Sequence, residues 1–211
     1  SGSKSVLGQT IPARKGIEGS QDFDDVLRIA ATYPATAKHL ATKLCRHFID
    51  DNPTAQAVEI VASEFSLTNG SISETLLALF TIEEFRNQRG NKFKQPIHLI
   101  ASAHLATDAE TDAGRPLIRY LSRMGHIPFE YPSPDGYPDV ADAWQGTLLW
   151  RWNFAARLGQ GQIQGKSIDF DRLAKLASHV LGRTPHNNEL AAVKATDNPL
   201  GLLLDSPGFQ W

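Results

Sequence analysis

Residues 34–48 read PATAKHLATKLCRHF, and their spacing decides the fold class. Ala37, Leu40, Ala41, Leu44 and Phe48 follow the i, i+3, i+4, i+7 pattern that gathers apolar side chains on one helix face. Pro34 suits a first helical turn, where its missing N–H costs nothing, and Asp50-Asp51-Asn52-Pro53 closes the segment. Cys45 falls on the same face, which makes it a buried thiol rather than a reactive one.

The same period recurs on both sides. QDFDDVLRIAA, at 21–31, predicts a helix with Asp22, Asp24 and Asp25 in its first turn, where the helix dipole favours negative charge. A helix from Pro53 carries Val58, Val61, Ala62 and Phe65 until Asn69-Gly70 stops it. Ile72 to Phe80 predicts another, and Thr81 is expected to cap the short IEEF turn that follows. Further helices are expected over 96–106, 116–124, 146–158, 168–181 and 185–194, and no segment reads as a convincing strand. Short loops favour antiparallel neighbours. The expected fold class is therefore all-α: an irregular bundle of about eight to ten short helices with a long Pro/aromatic loop before a buried central helix. One helical domain is expected over 1–211, with an extended leader at 1–19.

An internal echo runs through the chain. NPTAQAV at 52–58 leads to LLALFTIEEF at 76–85, and TPHNNEL at 184–190 leads to LLLDSPGF at 202–209. Each unit is a proline-started helix, a leucine-rich helix and a short turn from Ser or Thr to Phe, so Phe85 and Phe209 are expected to be buried at equivalent corners.

With 21 basic and 23 acidic side chains the net charge is −2, which argues against the broad positive field of a nonspecific nucleic-acid binder. The local run Arg86, Arg89, Lys92, Lys94 reads as a solvated loop. A single cysteine excludes an internal disulfide and a cysteine-based zinc site. No run approaches the roughly 20 apolar residues of a membrane span. Residues 1–19 lack the apolar core of a signal peptide, and SGSKSVLGQT reads as the middle of a longer chain.

No HExxH, P-loop, GxSxG or dinucleotide fingerprint is present, and neither a metal nor a cofactor is expected. The pairs His39/His47 and His98/His104 lack the spacing of two ligands on one helix face, although His98 and His104 could join a site built in space.

The most distinctive stretch is YPSPDGYPDVADAW at 131–144. Asp135, Asp139 and Asp142 do not match an EF-hand loop. Pro134-Asp135-Gly136 is turn chemistry, and Asp139 with Asp142 fits an N-cap followed by a first-turn carboxylate. Around it gather Phe129, Tyr131, Tyr137, Trp144, Trp150, Trp152 and Phe154, flat faces suited to sugars, prolines or cations, or else to a plain core. TLLWRWNFAARL at 147–158 is apolar nearly all round, yet holds Arg151 and Asn153, which must find partners if buried. Residues 126–144 are expected to act as a strap that supplies them: Pro128, Pro132, Pro134 and Pro138 offer carbonyls, and Asp135, Asp139 and Asp142 offer carboxylates. Tyr131, Tyr137, Trp144, Trp150, Arg151 and Trp152 are the candidate binding residues.

PATAKHLATKL, KFKQPIHLIASA, PSPDGYPDVADAW and LLWRWNFA resemble, in order, the signature stretches of the bacterial domain of unknown function 1800 family. KSVLG at 4–8 and the terminal LLLDSPGFQW also fit. The resemblance implies that this chain corresponds to the C-terminal half of a longer protein, that it is exported or periplasmic, and that its neighbours include a sulfatase-like protein. It implies no established activity. Three readings follow: a noncatalytic helical module binding a partner protein or surface polymer such as a glycan; part of an envelope glycan hydrolase, with His126, Asp135 or Asp139 completing a site shared with the N-terminal half; or a purely structural domain.

Overall fold

The computed structural model describes residues 2–87, 90–108, 111–163 and 173–211. The chain falls into two compact units, Ser1–Arg89 and Gly90–Trp211. Loop length shows which helices are neighbours; it does not show which of them share a core. The all-α expectation holds, since the described residues form twelve α-helices and only a two-stranded sheet. No described helix is long and apolar enough to cross a membrane.

The first unit opens with a hairpin, not an extended leader. Strands β1 (Lys4–Val6) and β2 (Gln9–Ile11) pair antiparallel, with Lys4 opposite Ile11. Leu7 and Gly8 both take positive φ, 49° and 77°, the two-residue turn whose twist matches a hairpin. A 3₁₀ turn at Gly16–Ser20 leads into α1 (Gln21–Ala31). Asp22 and Asp25, expected to serve the α1 dipole, also tie this lead-in to the helix: Asp22 pairs with Lys4 and Arg14, and Asp25 with Arg14 at 2.7 Å. These hydrogen bonds hold both carboxyls below the usual range.

Helices α2 (Pro34–Phe48) and α3 (Ala55–Leu67) pack through Ala37, Ala41, Cys45, Val58 and Val61, with α4 (Ile72–Thr81) adding Leu79. Pro34 stands in the first turn of α2, and the buried Cys45 thiol is pushed up to about 11, first by burial and then by Glu84. Thr54 caps α3 by accepting from the Ala57 N–H at 3.2 Å, and donates in turn to Glu84 on α5 (Glu83–Asn87) at 2.5 Å. Thr81 does not cap IEEF. Its hydroxyl donates back to the Leu77 and Ala78 carbonyls and so closes α4.

The second unit contains α6 (Pro96–Thr107), α7 (Arg115–Arg123), α8 (Leu148–Gly159), α9 (Leu173–Leu181), α10 (Asn187–Lys194), α11 (Pro199–Asp205) and α12 (Pro207–Gln210). The start expected for α9 at Ile168 lies outside the described residues. Leu99, Ala103, Phe154, Leu158, Leu200 and Leu203 are among the residues of its main core. Gly159 and Gly201 let α8 and α11 touch backbone to backbone: a Cβ on Gly159 would sit 2.6 Å from the Gly201 nitrogen. Asn198 locks the contact by donating to the Ala156 carbonyl at 2.9 Å and accepting from Gly201 at 3.0 Å.

The internal echo is geometric as well as lexical. Ile82, between α4 and α5, and Ser206, between α11 and α12, adopt nearly the same extended conformation, φ −67°, ψ 148° and φ −64°, ψ 147°. Phe209 is buried as expected. Phe85 is only half-buried, at the end of an aromatic ladder in which Phe80 stands 5.2 Å from Phe48 and 5.1 Å from Phe85.

Candidate functional site

The contacts of residues 126–144 differ from those expected of a strap fastened by Arg151. The chain holds itself first: the Tyr137 hydroxyl donates to the Ile127 carbonyl at 2.7 Å and the Trp144 indole to the Pro138 carbonyl at 3.0 Å. Ser133 and Asp135 close the Pro134-Asp135-Gly136 turn by a side-chain hydrogen bond. The outside clamp is KFKQ at 92–95. Lys92 reaches the Asp139 carboxylate at 3.2 Å and its carbonyl at 3.1 Å, and Gln95 donates to the same carboxylate at 3.1 Å. Val140 takes the N-cap position of the 3₁₀ turn Ala141–Ala143, and Asp142 lies in that turn.

Arg151 is fully buried, and it points elsewhere. Nε donates to the Thr147 hydroxyl at 2.8 Å, Nη1 to the Gln210 amide oxygen at 3.0 Å and Nη2 to the Lys94 carbonyl at 2.7 Å, while the guanidinium lies 4.2 Å over the Phe93 ring. Burial pushes it down to about 10, so it stays charged at neutral pH. The same KFKQ segment binds the chain's last residues: the Lys94 N–H donates to the Gln210 carbonyl at 2.8 Å, and its amine donates to the Phe209 and Trp211 carbonyls. That amine is pushed down to about 8, chiefly by burial and further by Arg151. Strap and tail are thus fastened by one segment, with Arg151 at its back. Asn153 does not hold the strap; it donates to the Leu149 carbonyl of its own helix at 2.8 Å.

The predicted aromatics divide into two groups. Trp144 is buried with Phe93 and Ala141, and stacks on His126 at 4.9 Å; Tyr137 lies 4.3 Å from that imidazole and 4.6 Å from Tyr131. His126 is buried with Nδ1 unpaired, and burial, then His98, lowers its basicity. Trp144 and His126 are buried in this group, Tyr137 is half-buried and Tyr131 lies exposed at its edge. On α8, Trp152 faces solvent and Trp150 is half-buried. Trp150 walls an open cavity of about 310 Å³ between α7 and α8, together with Tyr120, Asn153, Gln162 and Ile163. The Arg123 guanidinium lies 4.2 Å over its ring. Of the candidate binding residues, Trp150 lines this cavity, and Asn153, expected to serve the strap, joins it there.

Among the described residues no three of His, Cys, Asp or Glu gather closely enough to hold a metal ion. His104 is a core residue, its Nδ1 on the Ile100 carbonyl at 2.8 Å. Asp205 borders a separate, mostly apolar hollow, and burial pushes its carboxyl up to about 7.

Residues 1–211, the whole length, match the family model described as protein of unknown function (DUF1800). The chain belongs to the DUF1800 family. No curated protein and no solved structure matches it. Membership leaves the activity open, and the site must be argued from this geometry alone. Sequence reasoning missed the arginines of the α7–α8 cavity. Their signal is Arg115-x₃-Arg119-x₃-Arg123, a repeat at one-turn spacing.

Proposed function

We propose that the Gly90–Trp211 unit is a noncatalytic binding module for a surface polymer, and that its binding face is the α7–α8 cavity rather than the strap. The carrying observation is the open cavity of about 310 Å³ that brings Trp150 and Tyr120 beside the amides of Asn153 and Gln162. Rings flanked by a few amides suit a saccharide, with its apolar C–H face and its hydroxyls. The volume stands at the low end for ligand cavities, about one residue of a polymer at a time. The strap rings support this reading indirectly. Tyr137, Trp144 and His126 are engaged with one another, which stiffens the region and leaves few of their faces for a ligand. The hydrolase reading has less support: His126 is buried, Asp139 is held by Lys92 and Gln95, and Asp135 faces Ser133.

Titrating the chain with a panel of bacterial envelope oligosaccharides, followed by tryptophan fluorescence, tests this. A saturable change is expected, with Trp150→Ala weakening affinity by about ten-fold or more and Trp152→Ala leaving it unchanged. If no saccharide saturates the signal, or if Trp152 matters and Trp150 does not, the cavity is not the binding face.

A further inference from the structure

Helix α7 carries Arg115, Arg119 and Arg123 four residues apart, so their charges stand on one face and repel. Within α7 itself nothing offsets them, Asp112 standing just before the helix. Residues 113–129 hold no Asp or Glu, and neither do residues 143–168, which bring Arg151 and Arg157. The chain as a whole has 23 acidic side chains against 21 basic ones, so this is segregation of charge, not a generally basic composition. The fold then gathers it: Arg119 and Arg123 from α7 and Arg157 from α8 line the same cavity as Trp150. Among the described residues no carboxylate pairs with any of these three. Arg123 has a ring partner as well, its guanidinium lying 4.2 Å over Trp150.

We infer that the α7–α8 cavity takes an acidic saccharide, a polymer unit whose carboxylate or sulfate group is held by Arg119, Arg123 and Arg157. This rests on the polymer-binding reading above and names the charge of the ligand. Arginine suits such a ligand because its planar fork meets the two oxygens of a carboxylate or sulfate at once, which a lysine amine does not. Trp150 acts here as a positioning residue for Arg123 as much as a platform for a sugar ring. A single compact cavity favours one charged ring over a nucleic acid, which needs a line of cations that follows its phosphates.

Calorimetry on the intact chain decides the matter with four probes of similar length: an oligouronate, a sulfated galactan oligosaccharide, an uncharged galactan oligosaccharide and single-stranded DNA. At least one acidic saccharide is expected to bind, about ten-fold or more tightly than the uncharged one, and added salt is expected to weaken it. Whichever acid binds better identifies the group recognised. Arg119→Ala and Arg157→Ala each weaken binding by about ten-fold, the usual scale for one charged hydrogen bond. Arg123→Lys does the same although it keeps the charge, because it loses the stacked plane. All three side chains are exposed, so circular dichroism of the variants should match the parent. Equal binding of charged and uncharged saccharides overturns the inference while leaving the polymer reading in place. Binding of no saccharide overturns both. DNA binding tighter than every saccharide overturns the acidic-saccharide inference in favour of a nucleic acid.

Discussion

Arg151 is a full charge with no carboxylate among its partners, held by a hydroxyl, an amide oxygen, a carbonyl and a ring face. Such a group is costly to bury, and what keeps it there is that the Gln210 amide oxygen and the Lys94 carbonyl would lose their side-chain donor without it. Gln210 shows this well: its oxygen accepts from Arg151 and its nitrogen donates to the Leu204 carbonyl at 2.8 Å, so one amide bridges the buried charge to α11. Arg151→Ala is expected to lower stability by about 2–5 kcal/mol, because the buried Gln210 and Lys94 acceptors each lose a charged hydrogen bond at about 1–3 kcal/mol apiece. Arg151→Lys should recover about half of that, because an amine reaches one of these acceptors but cannot span all three. Chemical denaturation measures both. A loss under about 1 kcal/mol for the alanine variant would mean that the clamp on the tail does not depend on this residue.

At the scale of elements, the paired kinks at Ile82 and Ser206 set two short helices across the ends of longer ones, and each carries a phenylalanine. Their environments differ. Phe209 is enclosed in the main core of its unit and its ring accepts the Lys94 amine at 4.3 Å, whereas Phe85 leans on Phe80 at the margin of its own. Phe209→Ala should therefore cost about 3–5 kcal/mol and Phe85→Ala about 1–2 kcal/mol, since only the first leaves a closed cavity. Thermal unfolding of the two variants checks the order. Equal losses would restore the symmetric reading that the sequence echo suggested.

For the molecule as a whole, the presence of a separate core in each compact unit predicts more than one unfolding transition. The composition provides a probe for each. Cys45, the only cysteine, lies in Ser1–Arg89, and Trp144, Trp150, Trp152 and Trp211 all lie in Gly90–Trp211. In a urea titration, thiol labelling and tryptophan fluorescence are expected to give separate midpoints, the thiol staying unreactive until its unit opens because it is buried and its pKa is raised. Coincident midpoints would show that the two cores unfold as one.

The sequence by itself determined the helices and the family. Apolar spacing marks α1 to α4, α6 to α8 and α10 within a few residues, because helix period and end signals are local properties of the chain. It also showed that Arg151 needs partners if buried, and that 131–144 is rich in turn residues. Which partners they are was decided only by the tertiary structure. Arg151 meets Lys94 and Gln210, which are 57 and 59 residues away in sequence, and no local pattern encodes so long a contact. The hairpin at 4–11 escaped notice because its strands are three residues each, too short to show alternation. The cavity escaped for a related reason: Arg119 and Arg123 look like an ordinary solvated face until α8 sets Trp150 and Arg157 against them. Periodicity says which side of a helix is apolar, but the function of the polar side depends on what the fold brings to face it.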